Sequence, residues 1–466
     1  MLFCHFPCFC RVCVIQCIIG IHIFINTQLG GYVVRKLSVL LMILLAISCT
    51  PVFARDAGPD IKSASAILVH EDSGYILFEK NADEKAYPAS TTKIMTAFLA
   101  IENLDPNQSI TVQDSAIQID RDGSNMGLLN GEIITVRQLL YGLLVNSAND
   151  AANVLAEAVA GDVDSFVALM NERAAALGMN GTHYVNTHGY HDSNHYTTAR
   201  DLLTLSMHAM EQPLFREIVG TAIYEIPPTN KYKETRILSN NNILVNRFRD
   251  HRFAYSGAAG IKTGYTSDAG SCLSSYVERN GNGFFCVTLN GPVEAEGSYS
   301  FIDSIALFDY AFQDFSPRTV ANTTDIVTIN EVKWARGDSQ LILSAKEPLE
   351  VLLPKSYDKS LLTTEITTKE EIVAPVKEGA VLGRLTYLYD GARVGMVDLV
   401  ATRNVPRGFF KMVFSTLWNI IFSPWVITPL AVIVALLVLR SMAEARKRQR
   451  ARERRRQQAR EEFYRH

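Results

Sequence analysis

Apolar residues fall into distinct regimes along the chain, and each predicts a different kind of element. From Thr91 to Ile101 the run lacks proline and sets Ile94, Ala97, Phe98 and Ile101 at helical spacing, which predicts a buried helix opened by Ser90. Leu139 to Val145 is apolar and Ala151 to Val159 reads as another helix, so Ser147-Ala148-Asn149 falls in a turn between packed elements. Ile261 to Gly264 leads into the gapped alternation Ser271 to Glu278, then Arg279-Asn280-Gly281-Asn282-Gly283 and the apolar run Phe284 to Leu289. That order predicts a hairpin with an Asn/Gly turn and puts Lys262 and Thr263 on an edge strand beside a cleft.

The pattern changes from about residue 318 to 402. Short alternating runs (Ile326 to Ile329, Gln340 to Leu343, Leu349 to Leu353, Glu371 to Ala374, Leu382 to Tyr387, Val394 to Val400) are separated by Gly, Pro and Lys, and predict a small all-β domain over 318–405. Phe409 to Phe422 is apolar except for Lys411, Ser415 and Asn419 at intervals of four, continuing to Ser423, which predicts an interfacial amphipathic helix over 408–423. Trp425 to Leu439 carries no charge. Counted from Leu417, the apolar stretch reaches about the 20 residues that cross a bilayer, with Pro424 and Pro429 expected to kink it. The tail from Arg440 is dense in Arg and Lys, so 424–440 reads as a single transmembrane segment with 441–466 cytoplasmic. The rival reading of such a tail, nucleic-acid binding, is set aside because the segment abuts a membrane helix.

At the other end, Arg35-Lys36, apolar Leu37 to Ile47 and Val52-Phe53-Ala54 supply the basic, apolar and small-residue parts of a secretory signal, with cleavage expected after Ala54. A lipid anchor through Cys49 fits less well, since Ile47 and Ser48 match the lipoprotein pattern poorly. Met1 to Leu29 precede a complete signal, which points to a start assigned upstream of the true one, with a long leader as the alternative. Length predicts two to three domains, the first over 58–315, and 48% hydrophobic residues is ordinary globular composition. The formal net charge of −3 averages over the basic tail and says little about partners. After export only Cys272 and Cys286 remain, and they would face each other only across a turn centred on Arg279, so no disulfide is expected.

Candidate chemistry lies in three short motifs: Ser90-Thr91-Thr92-Lys93, Ser147-Ala148-Asn149 and Lys262-Thr263-Gly264. Lys93 sits one turn beyond Ser90 on the same helical face, which pairs a nucleophile with a base. An ammonium cannot accept a proton, so Lys93 must be neutral, and burial beside Lys262 moves it that way. Ser147 would relay a proton and Asn149 would hold a substrate carbonyl, while Gly264 would admit a peptide close to its strand. Each motif alone has a plain reading as a helix cap or a solvated strand lysine. Their occurrence together and in this order favours a serine acyltransferase. His188, His191 and His195 invite a metal reading, but no carboxylate motif accompanies them, and a structural loop walling the cleft is favoured. Thr198 and Asp201 read as a capping box.

These residues resemble the penicillin-recognising serine D-alanyl-D-alanine carboxypeptidases. The match includes Tyr87-Pro88-Ala89-Ser90-Thr91-Thr92-Lys93, Asn146-Ser147-Ala148-Asn149-Asp150-Ala151-Ala152, Asn186-Thr187-His188-Gly189-Tyr190, Tyr196-Thr197-Thr198-Ala199-Arg200-Asp201 and Gly260-Ile261-Lys262-Thr263-Gly264-Tyr265-Thr266. The resemblance implies an α/β catalytic fold with helices around an antiparallel sheet, then a C-terminal β-sandwich. It implies Ser90 as nucleophile, Lys93 as base, Ser147 as proton relay, and Asn149, Lys262, Thr263, Gly264 and Tyr265 as substrate-binding residues. The backbone N–H groups of Ser90 and Tyr265 would form the oxyanion hole. Peptidoglycan stem peptides, β-lactam antibiotics and the membrane are the partners implied, with no metal or organic cofactor. Two departures stand out: Ala148 where the family commonly has Gly, and Asn290-Gly291-Pro292-Val293 where some members carry an Arg. A class A β-lactamase shares the motifs, yet no Glu-x-x-Leu-Asn lies between Asn149 and Lys262. An inactive membrane-anchored wall-binding protein is disfavoured by the intact Ser90, Lys93, Ser147 and Lys262.

Overall fold

The run Phe284 to Leu289 is apolar almost throughout because both faces of its sheet are covered. In the computed structural model, which describes residues 58–119 and 123–463, β1 (Ser65–His70), β2 (Ile76–Lys80), β3 (Ala258–Thr266), β4 (Gly270–Arg279) and β5 (Asn282–Gly291) form one antiparallel sheet ordered β2-β1-β5-β4-β3. Alternate side chains enter separate cores: Ile67 and Val69 go to one face, Ala66 and Leu68 to the other. The first core is filled by α1 (Lys93–Asn103), α2 (Val136–Leu144), α3 (Asn149–Ala160), α4 (Val163–Ala176), α5 (Ala199–Met210) and α6 (Pro213–Val219). The second is filled by α7 (Tyr299–Asp314), through Phe301, Leu307 and Phe308. This is the expected α/β arrangement of helices around an antiparallel sheet.

The hairpin turn is Asn280-Gly281, with φ of 53° and 76°. Two successive left-handed residues make the tight turn that matches strand twist. Its register pairs Arg279 with Asn282 and Ser275 with Cys286. Cys272 therefore enters the first core and Cys286 the second, and both are free thiols. β3 is an edge strand, as its sequence predicts.

The β-domain comprises β6 (Phe315–Ala321), β7 (Thr328–Lys333), β8 (Gln340–Ala345), β9 (Leu349–Pro354), β10 (Leu362–Thr368), β11 (Ile372–Val373), β12 (Val381–Tyr389) and β13 (Ala392–Ala401). Six of these form a sheet ordered β10-β12-β13-β8-β7-β11, and β6 pairs with β9. Val351, Leu352, Leu353, Tyr389 and Val394 join the core beneath α7, so this domain packs on the sheet face opposite the helical layer. Its own interior is closed by Leu341, Leu343, Leu385, Val397 and Leu399.

The apolar C-terminus is two helices rather than one stretch from Leu417. α8 (Phe409–Ile421) ends at Phe422, and α9 (Pro424–Phe463) begins at the proline, which suits a first helical turn because its missing N–H has no partner there anyway. α9 continues through Pro429 and the basic tail, and is long and apolar enough to cross a membrane by length and composition. The polar stripe of α8 is not all turned to solvent: Trp334 Nε1 donates to Ser415 Oγ at 2.6 Å, docking the helix on the β-domain. Phe410, Phe414 and Trp418 stay exposed. The signal segment, its cleavage point after Ala54, and Cys49 lie outside the described residues.

Candidate active site

Ser90 does not open an α-helix directly. It sits in a 3-10 turn, Ala89–Thr92, from which α1 starts at Lys93. Ala89 has φ of 47°, a left-handed conformation that cannot begin an α-helical ladder. The turn is tied by hydroxyls instead: Thr91 Oγ1 donates to Pro88 O at 2.7 Å and Thr92 Oγ1 to Ala89 O at 2.8 Å. Gly189, with φ of 83°, presses on the same turn. A Cβ there would lie 1.8 Å from Ala89 O, so no other residue fits.

Lys93 is fully buried, with Nζ 2.9 Å from Ser90 Oγ and donating to His188 O at 2.8 Å. Burial lowers its pKa well below the ordinary lysine value, the Lys262 charge lowers it further, and Asp150 opposes both. Lys262 is also buried, with Nζ donating to Thr263 O at 2.9 Å, and burial brings it down to about 7. Deprotonating an ordinary lysine at neutral pH costs about 5 kcal/mol. Keeping two unpaired ammonium groups in a dry cleft costs several kcal/mol each plus their mutual repulsion. That balance favours a neutral Lys93 amine beside Ser90 Oγ.

Ser147 lies between α2 and α3 with φ of 62° and is 4% exposed. Ala148 has φ of −70° and ψ of 122°, ordinary extended backbone, and its methyl is absorbed in the first core. The departure from Gly therefore demands nothing of the backbone. Asn149 begins α3, buried, with its N–H donating to Ser124 O at 2.8 Å.

Thr263 is half-buried on β3 and Tyr265 is exposed. Gly264 makes a close contact within its own chain. A Cβ there would stand 2.9 Å from both Pro88 O and Ser90 N, so the glycine lets the strand meet the nucleophile turn of its own chain. Asn290 to Val293 bring no cation to the cleft: β5 ends at Gly291, and Val293–Glu294 pairs with Gly297–Ser298.

The histidine loop backs the Ser90 turn. Besides the His188 carbonyl on Lys93, Thr96 Oγ1 donates to Thr187 O at 2.5 Å, and the His195 ring shares a 2.8 Å hydrogen bond with Thr92 Oγ1. Burial lowers the imidazole of His188 to about 3 and that of His195 to about 4. His191 instead meets the Tyr87 ring edge-on and lies 3.8 Å from Asp268. Among the described residues no group of three His, Cys, Asp or Glu side chains is placed to hold a metal. The Thr198 cap is half formed: its hydroxyl accepts from Asp201 N, but the Asp201 carboxylate accepts from Gly181 N and Thr182 Oγ1 instead of the cap backbone.

Residues 53–293 match the model of the D-alanyl-D-alanine carboxypeptidase peptidase family, and 315–407 match the C-terminal domain of penicillin-binding protein 5. Similar proteins include D-alanyl-D-alanine carboxypeptidase DacF of Bacillus subtilis, 29% identical over 81% of this chain and 96% of its own length. The Streptomyces K15 D-alanyl-D-alanine carboxypeptidase is 34% identical over 54% of this chain and 88% of its own. The crystal structure of penicillin-binding protein 5 from Haemophilus influenzae superposes with a TM-score of 0.60 at 26% identity, covering 75% of this chain and 99% of that one.

Proposed function

The chain belongs to the D-alanyl-D-alanine carboxypeptidase family, and from that premise we propose that Ser90 is the acylating nucleophile of a serine D-Ala-D-Ala carboxypeptidase that binds penicillin. The observation that carries the assignment is the buried Lys93 amine 2.9 Å from Ser90 Oγ. Neutral Lys93 takes the Ser90 proton as Oγ attacks the carbonyl of the penultimate D-alanine of a stem peptide. Protonated Lys93 hands that proton through the Ser147 hydroxyl to the leaving amine, terminal D-alanine departs, and water hydrolyses the acyl-enzyme. Lys262 and Thr263 hold the terminal carboxylate and Asn149 holds a carbonyl of the acyl chain. The N–H groups of Ser90 and Tyr265 face the developing oxyanion, usually a large share of the rate enhancement. The contact of Gly264 with Ser90 N supports this, because it brings the two donor segments together.

The same reading extends to location. A signal at 35–54 exports the chain, α9 crosses the membrane once, and the Arg-rich tail stays cytoplasmic, leaving the catalytic domain outside. Labelling with a fluorescent penicillin tests the chemistry. The wild type should hold a long-lived adduct and release D-alanine from a small D-Ala-D-Ala peptide, and Ser90→Ala should do neither. Labelling of the alanine variant at the wild-type rate would refute the assignment.

A further inference from the structure

Buried carboxylates among the described residues are Glu132, Asp150 and Asp303. Glu132 is paired with Arg236 at 2.6 Å, and Asp303 accepts from Ser63 N and Oγ. Asp150, 2% exposed and next to the second motif, bonds no cation among the described residues. Its carboxylate instead accepts from Met126 N at 3.1 and 3.2 Å, from Leu128 N at 3.0 Å, and from Ala151 N at 2.9 Å.

Those contacts lie within a seam. The segment from Ser124 to Leu128 runs along the Ser147-Ala148-Asn149 turn. Ser124 O accepts from Asn149 N at 2.8 Å, and Asn125 O accepts from Asn146 Nδ2 at 3.0 Å. Met126 seats on Gly142 of α2, where a Cβ would fall 2.3 Å from its sulfur. Removing the carboxylate would leave the Met126 and Leu128 N–H groups without this acceptor and free the segment that braces Asn149.

We infer that Asp150 is a positioning residue for the reaction proposed above: by holding the Met126 and Leu128 N–H groups it pins the Ser124–Leu128 cleft wall against Ser147 and Asn149. The inference rests on that reading of Ser90 and Lys93. Lys93 Nζ touches Ser90 Oγ and the His188 carbonyl, and the titratable groups whose charges act on it are Lys262 on β3, His188 and His195 on the loop behind, and Asp150 on α3. Both imidazoles are neutral above about pH 4. Lys262 and Asp150 are then the charges that act on Lys93, one lowering its proton affinity and the other raising it. Asp150 thus stops the amine from becoming so weak a base that it no longer accepts the Ser90 proton readily.

The test is the pH profile of penicillin acylation and of kcat/KM for a small D-Ala-D-Ala peptide, measured on the full chain in detergent. Asp150→Asn keeps the shape and removes the charge. Its acid limb should move to lower pH by about half a unit or more, and its plateau should fall roughly ten-fold as the wall loosens. Asp150→Glu keeps the charge, so its acid limb should stay in place whatever its plateau. If the Asn variant does not fold, Asp150→Ser carries the same expectation for the plateau. An undiminished plateau in the folded Asn variant would overturn the inference. A wild type that never acylates would instead defeat the reading of Ser90.

Discussion

The catalytic domain and the β-domain bury opposite kinds of residue. The first buries Lys93, Lys262, Asp150, Glu132, Arg236 and Asn149; among described residues 318–405 the buried polar side chain is Ser344. Both domains have dense apolar cores, so the difference is not a matter of packing. A buried ion is expensive unless it is paired or neutralised, and well-packed apolar residues would stabilise a fold as well or better. The catalytic domain tolerates that expense, and beside Ser90 it lowers the proton affinity of Lys93. The β-domain, with no such task, keeps its Lys and Arg side chains out of the interior.

Truncation should separate the two regions most sharply. Lys93→Ala should lower acylation about a thousand-fold or more while leaving the fold intact, since the base disappears from a cleft that other side chains line. Leu343→Ala, in the centre of the β-domain, should cost about 2–5 kcal/mol of stability, read by denaturant unfolding, and leave kcat for a small peptide unchanged. A large loss of kcat in the folded Leu343 variant would break the distinction.

Acid should act next most strongly, and on the catalytic domain alone. His188 and His195 have folded-state values of about 3 and about 4, below the ordinary 6.5, so the unfolded chain binds more protons between those limits. Stability is fully present above 6.5 and falls as pH drops toward 4, by on the order of 2–3 kcal/mol per histidine. Hydrogen exchange followed from pH 7 to pH 4 should show strands β1 and β5 losing protection before β12 and β13. The smallest effect concerns Lys262. With a value of about 7, it loses its positive charge as pH rises through neutrality. Affinity for a free-carboxylate peptide should fall roughly five-fold between pH 7 and pH 8, whereas an amidated peptide should show no such step. Equal losses for both peptides would remove Lys262 from carboxylate binding.

Much of this was legible in the sequence where the signal is local. The Asn280-Gly281 turn, the edge position of Lys262 and the spacing of Ser90 and Lys93 all follow from a few adjacent residues. Other features depend on partners far along the chain. The 3-10 turn at Ser90 relies on threonine hydroxyls and on Gly189, and the role of Asp150 on a segment more than twenty residues upstream. The half-formed Thr198 cap fails for the same reason, because Gly181 and Thr182 claim the Asp201 carboxylate. In the β-domain, β10 reads Leu-Thr-Thr-Glu-Ile-Thr-Thr and carries no clean alternation, because it is an exposed edge strand with no face that must be apolar throughout. β6 is masked by Pro317 and Arg318, which an edge pairing with β9 tolerates.

The central claim is that burial beside a second lysine makes Lys93 a base for Ser90. The most direct measurement is a ¹³C NMR titration of lysine-labelled protein, with Lys93 assigned by its absence in Lys93→Ala. The Lys93 side chain should titrate well below 10.5, and it should move upward when the charge of Lys262 is removed by Lys262→Met. A Lys93 resonance that titrates at the ordinary lysine value, unaffected by the loss of Lys262, would contradict the account.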